Sequence, residues 1–166
     1  MRTRASIAHH PIHPMLVTVP IGLWLFSLVC DLVYATGPGD TVWYTVATYN
    51  LVAGIVGALL AAIFGYIDMR SLPPHVRKIA VRHMTLNLII VALYIVNAWL
   101  RIAPGEYSLV PLALSVIGVL MLGVSGWLGG HMVYVLQAGV DTGGASAAAT
   151  PAAPASARPG KRHART

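Results

Sequence analysis

The chain has 166 residues and a formal net charge of +6, with 57% of its residues hydrophobic and only 10% charged. A water-facing domain carries about a quarter charged residues, so this composition excludes a soluble globular enzyme and a disordered chain; the single cysteine, Cys30, excludes a disulfide scaffold. The Lys and Arg residues flank apolar runs instead of forming a patch, which assigns the positive charge to membrane threading and argues against nucleic acid as a partner.

The chain opens with an arm, 1–14, that carries Arg2 and Arg4 and ends in His10-Pro11-Ile12-His13-Pro14. Four apolar runs follow at about 15–35, 46–67, 84–103 and 109–130. Each reaches the length of about 20 residues that crosses a bilayer. Helices satisfy their own backbone in lipid, so the runs predict an all-α integral membrane four-helix bundle. The first run is longer than the apolar stretch of about 7–15 residues in a cleaved signal peptide, and it is expected to persist as a helix. Thr36-Gly37-Pro38-Gly39-Asp40, Ser71-Leu72-Pro73-Pro74 and Pro104-Gly105 supply the breaks between runs. The last stretch, 137–166, is rich in Ala and Pro and basic at its end, and is expected to be a disordered tail.

Six basic residues (Arg2, Arg4, Arg70, Arg77, Lys78 and Arg82) lie near the spans on one side, against Arg101 on the other. The positive-inside rule therefore predicts both termini in the cytoplasm. This threading carries all seven histidines to the cytoplasmic side and delivers one polar residue per helix to that boundary: His13, Asp68, His83 and His131. These four form a candidate metal site, and His13 with His83 forms a candidate haem pair. The cofactor implied is haem b or a transition metal.

Helical phase sharpens the expectation. Residues 18 apart share a helix face. His83, Asn87, Tyr94, Asn97 and Arg101 fall on one stripe of the third span, His13 approaches the phase of Ser27 and Asp31, and Asn50 matches Asp68. Such faces point into the bundle, because lipid cannot satisfy them. Asp31 and Arg101, opposite in sign at the outer end, are expected to form a structural ion pair. If a cofactor binds, Tyr66, Asn87 and Tyr134 are the expected supports of its ligands. Trp24, Trp99 and Trp127 read as packing or belt residues. Gly54, Ala58, Ala61, Ala62 and Gly65, and Gly118, Gly123, Gly126, Gly129 and Gly130, mark close helix contacts within the bundle or with another subunit.

The chain resembles a family of bacterial membrane proteins known as domain of unknown function 2231. The likeness rests on the opening motif through Met15-Leu16-Val17 and Pro20-Ile21-Gly22-Leu23, on Gly65-Tyr66-Ile67-Asp68, on Arg82-His83, and on Ser125-Gly126-Trp127-Leu128-Gly129-Gly130-His131-Met132-Val133-Tyr134. It covers about residues 9–140. Relatives often have an acidic residue where this chain has His131. The resemblance implies a four-helix domain of a bacterial inner membrane, and some relatives joined to redox modules raise the expectation of redox work.

Three readings of function follow. The leading one is a non-catalytic membrane scaffold or accessory subunit, packed beside a larger membrane partner, a redox protein or a second copy of itself. The second is a haem- or metal-binding redox module using the His/Asp cluster. The third is a small transporter or proton path through Asp31, Asn50, Asn97 and His83. No CxxCH or HExxH motif and no nucleophile–base arrangement points to an enzyme.

Overall fold

A computed structural model describes residues 4–8, 10–37, 40–104 and 108–140. Two short strands, β1 (Ser6–Ile7) and β2 (His10–Pro11), pair antiparallel, with Ser6 opposite Pro11 and Ile7 opposite His10. Five helices follow: α1 (Ile12–Leu16), α2 (Thr18–Thr36), α3 (Thr41–Met69), α4 (Pro74–Ile102) and α5 (Val110–Gly130). The last continues into a π-helical turn, His131–Val135. Four segments are long and apolar enough to cross a membrane: Ile12–Thr36, Thr41–Met69, Pro74–Ile102 and Val110–Val135.

Local chemistry sets the boundaries. Asp40 caps α3 by accepting from the Val42 N–H at 2.9 Å. Pro74 starts α4 in a first turn that needs no N–H donor there. Pro20 has no N–H to offer the Leu16 carbonyl, and the helical hydrogen bonding is interrupted between α1 and α2 at Val17. The arm expected over 1–14 is thus partly structured, as a strand pair and the start of a helix. α3 and α4 run 29 residues each, beyond the apolar runs 46–67 and 84–103. At 1.5 Å per residue such helices span about 43 Å, so their polar ends project past a hydrocarbon layer of about 30 Å. Of the stretch 137–166, residues 141–166 lie outside the described residues.

The helices form two antiparallel hairpins, α2 with α3 and α4 with α5, and the hairpins join through α3 against α4 and α2 against α5. Their register is a strict pairing of large with small. On α4 and α5, His83 meets Gly129, Asn87 meets Ser125, Tyr94 meets Gly118 and Asn97 meets Ser115. Every step forward along α4 is matched by an equal step back along α5. On the first hairpin, His13 seats against Gly65 and Trp24 against Gly54. The small residues are therefore sockets for rings and amides of the facing helix, which lets the backbones approach closely.

At the centre Trp24 stacks on Tyr94, with centroids 4.1 Å apart and planes 10° apart, among Leu51, Ile90, Val91 and Ala98. The outward faces are apolar, including Leu25, Phe26, Val29, Ile63, Ile95 and Leu120. A bundle with an apolar exterior and polar groups inside is built for lipid.

Candidate functional site

Two polar clusters occupy opposite ends of this core. His83 and Arg101 are 18 residues apart on α4, which separates the clusters by about 27 Å along the axis.

The cluster at the Arg101 end is closed. Arg101 donates from Nη1 to Asp31 Oδ1 at 2.7 Å and from Nη2 to Oδ2 at 2.5 Å, a two-pronged pair with both side chains buried. Arg101 Nε donates to Asn97 Oδ1 at 2.9 Å. Ser115 Oγ donates to Asp31 Oδ2 at 3.1 Å, and Asn97 Nδ2 donates to the Pro111 carbonyl at 3.0 Å. The Tyr44 ring lies 5.2 Å from the guanidinium carbon. Asn50 donates to the Val46 carbonyl of its own helix at 2.8 Å. Such mutual satisfaction makes a buried charge pair affordable in a low dielectric.

The other end is open. His13 Nδ1 lies 2.8 Å from the Ala61 carbonyl, and His83 Nδ1 lies 3.0 Å from the Ser125 carbonyl. A carbonyl only accepts, so each Nδ1 carries the hydrogen and each Nε2 keeps a lone pair. The two ring centroids are 6.4 Å apart and the planes are 86° apart. Asn87 Nδ2 donates to Ser125 Oγ at 2.7 Å and approaches His83 Nε2 at 3.2 Å. Both imidazoles line a cavity of about 470 Å³ between the hairpins, walled by Pro20, Ile21, Ala62, Met84, Leu88 and Leu122, with Trp24 among its lining residues.

The proposed quartet does not assemble. Among the described residues no three of His, Cys, Asp and Glu gather to hold a metal ion. Asp68 reaches the cavity wall, but its Oδ1 accepts the Ala5 N–H at 2.8 Å. His131 heads the π-helical turn; its neighbours Gly130 and Met132 line the cavity and it does not. Of the expected supports, Asn87 touches His83 and Tyr134, though largely exposed, is among the residues lining the cavity, whereas Tyr66 is exposed and its ring lies beneath Arg70. His9 and His163 lie outside the described residues. Between the two clusters Leu51, Ile90 and the Trp24–Tyr94 stack fill the core, so the polar stripe of α4 is interrupted by apolar packing.

Ser115 and Ser125 are the residues that sequence reasoning missed. Their spacing of ten on α5 repeats that of Asn87 and Asn97 on α4. In an antiparallel pair, equal spacing of polar residues on neighbouring spans is the readable signal.

Fold and surface together define a four-helix integral membrane protein. Residues 9–142 match the family described as "Predicted membrane protein (DUF2231)", and the chain belongs to that family. No curated protein and no solved structure matches the chain.

Proposed function

We propose that this protein is a haem-binding module of the bacterial inner membrane, in which His13 and His83 would hold the iron. The observation that carries the reading is the pair of imidazoles that line one largely apolar cavity, each fixed by an Nδ1–H bond to a backbone carbonyl; Asn87 Nδ2, the donor 3.2 Å from His83 Nε2, would have to give way to a ligand there. Ligating histidines characteristically hold their second nitrogen in this way. Two imidazoles are too few for a structural zinc ion, which takes four protein ligands. A porphyrin brings four nitrogens of its own, so two imidazoles would suffice to hold its iron. Two rings sharing one metal at about 2 Å each have centroids roughly 6 Å apart, a separation that the 6.4 Å between His13 and His83 supports. The two ligands come from different hairpins, so the ligand would sit in the seam between them. Under the threading that the basic residues favour, this seam opens in the cytoplasmic half of the membrane.

The test is the absorption spectrum of detergent-purified protein, before and after titration with hemin. We expect a Soret band with the low-spin signature of two imidazoles, lost in His83→Ala and retained in the exposed His75→Ala control. A wild-type protein that binds no hemin overturns the reading. The scaffold reading then stands in its place, supported by the exposed Gly123, which has open space beside it on α5.

A further inference from the structure

We propose that Asp68 is a positioning residue for this ligand pair: it latches the N-terminal strap, residues 4–8 with the strand β2, against α3 and so holds His13 at the cavity. The inference rests on the ligand site proposed above and assigns Asp68 a role other than ligation.

The two histidines are held very differently. His83 sits within the 29-residue α4, anchored by the register with α5. His13 is the second residue of α1, in the first turn of the 25-residue span Ile12–Thr36, where a helix end frays. Val17, between α1 and α2, keeps helical dihedrals, but the Leu16 carbonyl lacks the donor that Pro20 cannot supply. The place of α1 therefore depends on contacts made from outside it.

A chain of hydrogen bonds supplies one. Asp68 Oδ1 accepts the Ala5 N–H at 2.8 Å, and the Ala5 carbonyl accepts the Ile12 N–H at 2.9 Å. Ile12 is the first residue of α1 and the neighbour of His13. Ala5 precedes every helix and is nonetheless only 8% exposed, and Asp68 is only 7% exposed. The strap folds back on itself through the β1–β2 pair. Its turn at Ala8 takes a left-handed φ of 47°, and His10 Nδ1 lies 2.8 Å from the Ala8 carbonyl. A carboxylate makes a charge-assisted bond to a backbone N–H, stronger than a neutral acceptor makes. The acid at the end of α3 thus controls a ligand five positions C-terminal to the strap's turn, without touching that ligand's ring.

The experiment uses the full chain with hemin. Wild type should be six-coordinate and low-spin. Asp68→Ala should release His13 and leave His83, giving a five-coordinate, high-spin spectrum. Asp68→Asn keeps an oxygen acceptor and should stay low-spin, whereas Ala5→Pro deletes the donor and should reproduce Asp68→Ala. An Asp68→Ala protein that stays low-spin overturns the positioning role. A second readout needs no haem. In a Cys30→Ala background, a cysteine introduced by Ala5→Cys should react with a maleimide at least about tenfold faster once Asp68→Ala is added, as expected for loss of one charge-assisted bond. An unchanged labelling rate overturns the latch. If wild type binds no hemin, the haem reading and the positioning role fall together, and the labelling rate alone decides the latch.

Discussion

Replacing Asp31 with Ala should destabilise the bundle more than any other single change at the Arg101 end. The substitution removes both carboxylate bonds of Arg101 and strands a guanidinium in the core. Breaking one half of a buried ion pair costs about 3–5 kcal/mol. Arg101 keeps Asn97 Oδ1 on its Nε, Ser115 Oγ at 3.2 Å from Nη2, and the Tyr44 ring, which sets the expected cost near the lower end, about 3 kcal/mol. The reverse change, Arg101→Met, should cost less, because the stranded carboxyl can take up a proton whereas a guanidinium cannot release one. The double variant Asp31→Ala/Arg101→Met should be more stable than Asp31→Ala alone, with a coupling of at least about 2 kcal/mol. Reversible unfolding of the solubilised protein in mixed detergent and SDS, followed by circular dichroism, measures all three. An Asp31→Ala cost below about 1 kcal/mol, or strictly additive effects in the double variant, would refute the reasoning.

Two further outcomes test the packing and the threading. Gly118→Ala places a Cβ 2.7 Å from Tyr94 Cε2 and should cost about 1–3 kcal/mol by overpacking, seen in the same unfolding assay; Gly123→Ala, with open space beside it, should be neutral. In intact cells, a membrane-impermeant thiol reagent should label a cysteine placed at Gly39 and spare one placed at Ser71, since the basic residues near the spans favour the cytoplasmic side for the latter.

The pairings in this bundle explain why some of it could be read in the chain and some could not. The glycines and alanines of α3 and α5 announce close helix contact, but their use as sockets for His13, Trp24, His83 and Tyr94 depends on the axial register of two helices. One residue of slip would swing each socket about 100° away from its ring. The polar stripe of α4 is visible as a stripe, yet its division into a closed ionic end and an open imidazole end follows from what faces it: Ser115 and Asp31 at one end, an apolar cavity at the other. Asp68 shows the limit most clearly. Sequence places it beside three histidines, and only the folded strap reveals that one of its two carboxylate oxygens accepts from Ala5.

Four spans, their apolar outer faces and the inward aim of the polar residues belong to the sequence, because lipid penalises a polar group wherever its neighbours lie in the chain. The choice of His13 and His83 as the convergent pair, the exclusion of His131 and the diversion of Asp68 belong to the tertiary structure. Hydrophobicity is a property of each residue in turn, whereas a lone pair is free or engaged only in relation to a partner that folding brings from elsewhere.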